Sequence, residues 1–435
     1  MVRNIENNSK LLDMLNQEYD IHIQFLDTVE LTPKQKNSFE ELKALYLSDK
    51  KKIIEFLSHR THRAIFPNAS EIKNIEPKNH AYSLSSQEIK DTLSDGVLDP
   101  KPLPYVPESL INNLLKEATS LMNIVNNGSS QKFDYSFAVN FLMPSISELI
   151  KKNIDAIIQP FKSLMNLSED EKVYLTTELI MVEPNKGSRY NLHNDYKLPS
   201  EWMKNPGPWL NMHLALTPIS VNSAPLYLFP RTHTTIVSPS YIIEQIIENK
   251  IPAKEKEIHL FLKALAITQN GGLDKKIIIN DREFNATDVY SPIIYKYYIE
   301  NYSTSWKDIE SIFMESKVGE YTLFLPSVFH YSFHKNTQET PRITLVFRPT
   351  IENTVYTEKL SSSDLISFFS KVFENTIYTQ KFTIEEIINI ILGVPINTEI
   401  SSSMTTAMLV NPGKNEKNAV TLEGIERLNK AVGIC

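Results

Sequence analysis

The stretch that decides the fold is EYTLFLPSVFHYSFHKNTQETPRITLVFRPT, residues 320 to 350. β-Branched and aromatic residues fill both of its ends, and a polar passage that finishes at Pro341 separates them. Short runs of this kind are typical of β-strands joined by a loop. A period close to two begins near residue 172 and recurs in three earlier runs, VYLTTELIMVEP, WLNMHLALTPI and APLYLFP. Several short strands with turn residues between them predict a double-sheet β architecture such as a jelly roll.

Helical patterns surround this strand-rich part of the chain. Thr32 and Pro33 are typical of a helix start, and Asp49 is placed to cap a following helix. A turn at Asp95-Gly96 precedes an amphipathic helix. The apolar face of that helix is predicted to contain Leu110, Leu114, Ala118 and Leu121.

These patterns together predict an α+β chain. Its core, residues 84–350, is a double-stranded β-helix, the jelly-roll or cupin-like architecture. Residues 1–83 form a helical N-terminal extension, and residues 351–435 form a helical C-terminal region. Residues 240–318 form a long, mostly helical insertion, which either covers a pocket as a lid or packs outside the sheets.

Composition excludes several classes of function. The 435 residues carry a formal net charge of -7 without a sustained basic stripe, which argues against nucleic acid as a partner. No apolar run approaches the roughly 20 residues that cross a bilayer, so we expect no membrane association and a cytoplasmic protein. Cys435 is the single cysteine and only 11 glycines are present, so neither a cysteine-based zinc site nor a phosphate-binding glycine loop is expected. A metal ion would need His and carboxylate ligands.

One short motif offers such ligands. In NLHNDYKL, residues 191–198, His193 and Asp195 stand two positions apart, so both side chains point to the same side of an extended segment. The competing interpretation is a surface turn rich in Asn and Asp. Two histidines and one carboxylate form a facial triad that leaves open positions on Fe(II). The third ligand is His330 or His334, and strand alternation does not separate them because even-numbered residues share a face.

Arg342 follows His330 by twelve residues and opens the last strand of the run. A buried arginine behind a metal pocket needs a fixed anion, and a guanidinium grips a carboxylate through two parallel hydrogen bonds. The 5-carboxylate of 2-oxoglutarate is an anion of this kind. The alternative is a surface arginine at a strand start after Pro341.

Four segments, taken in order, resemble one enzyme family. LSSQEIKDTLSDGVL is similar to the family's opening helix and Asp-Gly turn, and VEPNKGSRYNLHNDY is similar to its metal-binding segment. LNMHLALTPISVNSAPLYLFPRTH and GEYTLFLPSVFHYSFHKNTQETPR are similar to its central strand pair and closing strand. The family is the phytanoyl-CoA dioxygenase (PhyH) family of Fe(II)/2-oxoglutarate-dependent oxygenases, and the resemblance spans about residues 84 to 350.

The resemblance implies the metal ligands. His193, Asp195 and His330 would ligate Fe(II), and His330 is preferred to His334 because a serine, an asparagine and an arginine follow it in the family's order. Related halogenases have Ala or Gly at the carboxylate position, so Asp195 favours hydroxylation.

The resemblance also implies a cosubstrate site. Arg342 and Ser332 would hold the carboxylate of 2-oxoglutarate, and Tyr190 would border the cosubstrate. Thr344 shares a strand face with Arg342 and is an alternative partner for that carboxylate, although a strand residue without this role is the commoner case.

Substrate residues are less well marked. Asn211 and His213 alternate on one face of a core strand and either line the substrate pocket or form a satisfied buried hydrogen bond. Arg231, like Arg189 and Arg348, is a candidate for binding a substrate carboxylate, or a solvated surface residue.

Two turns depart from the family. The family's Gly-x-Leu and Gly-Ser-His become Ser223-Ala224-Pro225-Leu226 and Arg231-Thr232-His233. Without glycine's freedom to adopt positive φ, we expect both turns to take a different geometry. The loop from His330 to Arg342 is also one residue longer than usual, which affects the position of Asn336.

The implied activity uses Fe(II), 2-oxoglutarate as cosubstrate and dioxygen. It would hydroxylate an unactivated C–H bond of a small molecule, an amino acid or an intermediate of secondary-metabolite biosynthesis, and release succinate and CO2. Desaturation and cyclisation are variants of the same chemistry. Two alternatives are a cupin-like metal enzyme that does not use 2-oxoglutarate and a non-catalytic binding or assembly protein on the same fold. The sequence predicts no particular oligomeric state.

Overall fold

The structure is a computed structural model, and it describes most of the chain. The described residues are 4–6, 9–52, 82–126, 132–133, 136–186, 190–195, 209–234, 246, 248, 253–271, 276–279, 282–285, 310–332, 334–351, 359–360, 362–400, 404–409 and 419–434. The α-helices in these ranges are α1 (Ser9–Thr28), α2 (Pro33–Ser48), α3 (Ser86–Asp95), α4 (Glu108–Asn126), α5 (Ser136–Leu142), α6 (Pro144–Leu164), α7 (Glu255–Gly271), α8 (Ser362–Phe373), α9 (Ile377–Lys381), α10 (Ile384–Leu392) and α11 (Leu422–Val432).

The strands form two large sheets and a hairpin. In chain order they are β1 (Asn4–Glu6), β2 (Val97–Pro102), β3 (Lys132–Phe133), β4 (Val173–Val182), β5 (Tyr190–His193), β6 (Asn211–Ala215), β7 (Tyr227–Phe229), β8 (Lys276–Ile279), β9 (Arg282–Asn285), β10 (Ser311–Phe313), β11 (Glu320–Phe324), β12 (Phe329–Ser332), β13 (Arg342–Ile351), β14 (Lys359–Leu360), β15 (Met404–Leu409) and β16 (Ala419–Thr421). The first sheet has the order β1-β10-β7-β12-β5. The second has the order β14-β15-β4-β13-β6-β11-β2, with β3 on β4 and β16 on β15. Apart from the parallel pair β15–β16, the described strand pairs are antiparallel. The described residues thus combine helices with antiparallel sheets, and the predicted mixture of helix and sheet is confirmed.

The nine-stranded sheet has two chemically different faces, and both are buried. In the register of β13 with β6, Leu345 pairs with Leu214 and Val346 pairs with His213. Because side chains alternate along a strand, the odd-numbered residues of β13 point to one face and the even-numbered ones to the other. The first face packs in the main apolar core with helices α4, α6, α8, α10 and α11. The second face carries the polar residues His213, Arg342, Thr344 and Arg348.

A second apolar core covers the outer side of the five-stranded sheet. Tyr227, Phe229, Phe329 and Tyr331 of β7 and β12 pack there with residues from α1, α2 and α7. Burying an aromatic side chain of this size contributes about 2–3 kcal/mol. The N-terminal helices therefore stabilise the sheet that carries one side of the candidate site.

Several local predictions are confirmed. Thr32 caps α2 in a reciprocal capping box with Gln35, and Pro33 is its first residue. Helix α3 ends at Gly96, which adopts a left-handed conformation with φ 77°. The four residues predicted for the apolar face of α4 are buried, namely Leu110, Leu114, Ala118 and Leu121. Asp49 accepts hydrogen bonds from the backbone of Lys51 and Lys52, but the helix predicted after it falls mostly outside the described residues.

The terminal regions and the insertion are less purely helical than predicted. The N-terminal extension begins with β1, which pairs with β10 inside the predicted insertion. The insertion also contains the β8–β9 hairpin beside α7, and its segment YIIEQIIENKI lies mostly outside the described residues. In the C-terminal region β15 pairs with β4 and extends the nine-stranded sheet. The strands β1, β8, β9, β10 and β15 have three to six residues each, too few for a period of two to stand out. The domain boundaries stay predictions.

The expectation for the two glycine-free turns is wrong. Ala224 has φ 55° and Arg231 has φ 69°, so both keep the left-handed backbone that glycine favours. Tertiary contacts hold them there. The Arg231 N–H donates to the carbonyl of Asp95 at 2.7 Å, and the Ser332 hydroxyl donates to the Ala224 carbonyl at 3.2 Å.

Within the described ranges, none of the helices combines the length and the apolar character that spanning a membrane requires.

Candidate metal centre

Three predicted ligands lie together where the two sheets meet. His193 on β5 pairs directly across from His330 on β12, and their ring centroids are 4.2 Å apart. Asp195 follows β5 in a bend, where its N–H donates to the Pro326 carbonyl at 2.8 Å. Its Oδ1 lies 3.6 Å from Nε2 of His193 and 3.6 Å from Nε2 of His330. The three donor atoms are all within 4.8 Å of one another.

The donor set fits a divalent transition metal. The Nδ1 of His330 lies 2.9 Å from the Val328 carbonyl oxygen, which accepts a hydrogen bond only if Nδ1 carries the proton. This hydrogen bond leaves Nε2 of His330, the nitrogen that faces Asp195, as the one available to ligate a metal. Both imidazoles are buried, with 8% of His193 and 4% of His330 exposed. Two imidazole nitrogens and one carboxylate oxygen match the ligands of a 2-His-1-carboxylate site.

The structure distinguishes between His330 and His334, which strand alternation left as equal candidates for the third ligand. β12 ends at Ser332, and its register with β5 shifts between His330 and Ser332. Strand alternation therefore does not extend to His334. The His334 ring lies 4.9 Å from the ring of Tyr227, which belongs to the second apolar core. His330 joins His193 and Asp195, and His334 does not.

A cavity between the sheets contains three of the predicted binding residues, Arg342, Thr344 and His213. They share the polar face of the nine-stranded sheet with Thr322 and Phe324 of β11. Leu226 and Leu228 line the cavity from the side of the five-stranded sheet. Phe324 lies between this cavity and the candidate metal centre, because its ring contacts both His213 and His330 at centroid distances of 5.0 and 5.2 Å.

The cavity combines a buried cation with neutral neighbours. Only 5% of Arg342 is exposed, so the interpretation of this residue as a surface arginine is wrong. The Thr344 hydroxyl is buried and has no hydrogen-bond partner among the described residues. Burial first, and then the positive charge of Arg348, lower the pKa of His213 to about 3, so this imidazole is neutral at physiological pH. The lining therefore provides one positive charge, from Arg342, and three neutral polar side chains, those of His213, Thr322 and Thr344.

Other predicted binding residues lie elsewhere. The backbone of Tyr190 pairs with Ser332 across β5 and β12, and the side chain of Tyr190 is outside the described residues. The Ser332 hydroxyl donates to the carbonyls of Ala224 and Pro225. Arg231 is exposed. Asn336 is fully buried, and its amide donates to the carbonyls of Val182 and Thr340, so it holds the long loop in place.

Asn211 contacts a candidate ligand. Its side-chain Nδ2 donates to Oδ2 of Asp195 at 2.5 Å, while its Oδ1 accepts from Nε of Arg348 at 2.8 Å. Nη1 of Arg348 in turn lies 2.6 Å from Oε1 of Glu178, and 11% and 13% of these two side chains, respectively, are exposed. Glu178 was not among the site residues predicted from the sequence. The signal was a single charged residue inside the otherwise uncharged run VYLTTELIMV, a pattern that marks a strand with a polar site on one face.

Comparison with known proteins gives structural neighbours only. No protein-family model and no curated protein matches the chain. Similar solved structures include the non-heme alpha-ketoglutarate-dependent carbocyclase SnoK from nogalamycin biosynthesis, with TM-score 0.37, 10% identity and coverage of 61% of this chain and 83% of SnoK. The epimerase SnoN, of the same description and source, has TM-score 0.33, 11% identity and coverage of 61% and 81%. HygX from Streptomyces hygroscopicus, with nickel and 2-oxoglutarate bound, has TM-score 0.37, 11% identity and coverage of 62% and 88%.

SnoK and SnoN are described as non-heme alpha-ketoglutarate-dependent enzymes, the class that the sequence resemblance implied, and HygX as a protein with 2-oxoglutarate bound; the PhyH family is not named among them. At TM-scores of 0.33 to 0.37 the likeness does not assign an activity to this chain. The chemistry has to follow from the side chains of the site.

Proposed function

We propose that this protein is an Fe(II)/2-oxoglutarate-dependent oxygenase that hydroxylates an unactivated C–H bond of a small molecule. The proposed fold is the double-stranded β-helix, with the five- and nine-stranded sheets as its two walls. The observation that carries the proposal is the pairing of a His-Asp-His cluster with a cavity that contains a buried arginine. A metal ligand set alone is compatible with many metal enzymes. A fixed guanidinium beside it selects for an anionic cosubstrate.

Each proposed role follows from position. His193, Asp195 and His330 would hold Fe(II) on one side and leave the other side open. Arg342 would bind the distal carboxylate of 2-oxoglutarate through two hydrogen bonds, and Thr344 would donate a third. Iron with 2-oxoglutarate and dioxygen supplies the oxidative decarboxylation and oxygen insertion, with succinate and CO2 as products.

The remaining cavity residues would control water and charge. Phe324, Leu226, Leu228 and Met314 present apolar surface, which strengthens electrostatic contacts inside the cavity by excluding water. His213 stays neutral, so it adds no repulsion to Arg342. The cavity measures about 40 Å³, room for only a few water molecules. Entry of a five-carbon diacid therefore requires lining side chains to move, and the unbranched Met314 is the most adaptable of them.

Anaerobic titration tests the proposal. Wild-type protein given Fe(II) and then 2-oxoglutarate should develop the weak visible charge-transfer band of a chelated 2-keto acid. His193→Ala should abolish both the band and succinate formation. His259→Ala, on the partly exposed face of α7, is the matched control and should behave as the wild type.

Each alternative has its own outcome. Metal binding without the band would indicate a metal enzyme that does not use 2-oxoglutarate. Absence of metal binding would indicate a non-catalytic protein. Succinate formation by His193→Ala would contradict the ligand assignment. The substrate class, the domain boundaries and the cytoplasmic location remain predictions, and screening amino acids and secondary-metabolite intermediates for stimulated 2-oxoglutarate turnover tests the first.

A further inference from the structure

A series of mostly buried polar side chains leads away from the candidate metal centre. It runs from Oδ2 of Asp195 to Nδ2 of Asn211 at 2.5 Å, from Oδ1 of Asn211 to Nε of Arg348 at 2.8 Å, and from Nη1 of Arg348 to Oε1 of Glu178 at 2.6 Å. These residues come from β6, β13 and β4, three neighbouring strands of the nine-stranded sheet, and from the bend after β5.

Chemistry fixes the direction of both hydrogen bonds that the Asn211 amide makes in this series. A guanidinium only donates and a carboxylate only accepts, so Asn211 must turn its oxygen to Arg348 and its NH2 group to Asp195. In the reverse orientation the Asn211 oxygen would face the Asp195 carboxylate, with two acceptors in contact. The Asn211 NH2 group would face the Arg348 guanidinium, with two donors in contact. The orientation of Asn211 therefore depends on Arg348, and the charge of Arg348 is balanced by Glu178.

The geometry points to a purpose beyond holding the sheet together. A buried ion pair is expensive to desolvate, and well-packed apolar residues in its place are often as stable or more stable. Elsewhere on this face β13 carries the apolar Val346, which pairs with His213 and with Glu178 itself. We therefore look for the role of the charged pair in the groups that it orients. Arg348 orients Asn211, and Asn211 in turn contacts the carboxylate of Asp195.

We propose that Asn211, Arg348 and Glu178 form a positioning relay for Asp195. The relay engages Oδ2, so that Oδ1, the oxygen that faces both imidazoles, serves as a one-oxygen ligand. A carboxylate that rotated to offer both oxygens would occupy one more position on the metal. The inference rests on the proposed metal centre and extends it to three residues that do not touch the metal themselves.

Cobalt binding tests the relay without turnover. Co(II) alone is titrated into the folded full-length protein, and affinity and the visible d–d spectrum are recorded. Asn211→Leu removes both hydrogen bonds of the amide at similar volume. The double variant Glu178→Gln/Arg348→Met removes both charges together, so that neither is left buried alone. Outer-sphere partners of metal ligands typically contribute about 10- to 100-fold in affinity. We expect a loss of that order in Asn211→Leu, a smaller loss in the double variant, and an altered d–d spectrum in both.

A second buried asparagine provides the control. Asn389 on α10 donates to the carbonyls of Ile396 and Thr398. Asn389→Leu should lower thermal stability and leave Co(II) affinity and spectrum unchanged. Wild-type affinity and spectrum in Asn211→Leu would overturn the relay, while an effect in Asn211→Leu without one in the double variant would overturn the role of the ion pair. Failure of the wild type to bind Co(II) would remove the metal centre and the relay with it.

Discussion

Replacing Arg342 by methionine isolates the proposed grip on the cosubstrate. Methionine keeps much of the apolar length of the side chain and removes the guanidinium. Because only 5% of Arg342 is exposed, water screens its charge little. Truncating one partner of a buried, hydrogen-bonded charge pair costs about 2–5 kcal/mol of binding free energy. At about 1.4 kcal/mol per tenfold change, the dissociation constant for 2-oxoglutarate should rise roughly 30- to 4,000-fold.

The assay compares two keto acids on Ni(II)-loaded protein by calorimetric titration. 2-Oxoglutarate has a distal carboxylate, and 2-oxopentanoate has the same five carbons without it. If Arg342 binds the distal carboxylate, Arg342→Met should weaken binding of 2-oxoglutarate and leave binding of 2-oxopentanoate nearly unchanged. The control is Arg427→Met, whose guanidinium donates to the carbonyls of Ile390 and Ile391. An equal loss for both keto acids, or no loss for 2-oxoglutarate, would refute the reasoning.

Two further predictions concern stability. A left-handed backbone strains every residue except glycine, and Ala224 and Arg231 both adopt it. Ala224→Gly and Arg231→Gly should therefore each raise the free energy of unfolding by about 1 kcal/mol, measured by denaturant unfolding. A lower free energy of unfolding in these variants would contradict the assignment of strain. His213 has a folded-state pKa of about 3, below its ordinary 6.5, so between these pH values the unfolded chain binds a proton that the folded chain does not. The free energy of unfolding should therefore fall as pH decreases through this window, by up to about 1.4 kcal/mol per pH unit from this residue, and His213→Phe should flatten that slope; an unchanged slope would show that His213 is not held neutral.

Local signals carried most of what the sequence predicted correctly. The caps at Thr32 and the turn at Gly96 need only a few neighbouring residues to be recognised. His193 and Asp195 are close in sequence, and their common direction follows from an extended backbone. His330 was harder, because the choice against His334 depends on where β12 ends, and the register shift that ends it is a tertiary feature.

Features that depend on strand order were not predictable. Asn211, Arg348 and Glu178 are distant in sequence and meet because β4, β13 and β6 are adjacent in the sheet. The alternation pattern shows that each residue shares a face with other polar residues, but it does not show which strand lies beside which. The left-handed turns at Ala224 and Arg231 were missed for a similar reason, since hydrogen bonds from distant segments override the local preference of the backbone.

The position of β5 would couple metal loading at the candidate centre to the integrity of the sheet. β5 is the last strand of the five-stranded sheet, and two register pairs with β12 hold it there. An ion bound by His193, by His330 on the neighbouring strand and by Asp195 in the following bend would fasten this edge as a cross-link does. Part of the metal's binding free energy would then appear as folding free energy. Metal binding would thus stabilise the pairing of β5 with β12 at the edge of the sheet. Without the metal, β5 would be the first strand of this sheet to separate.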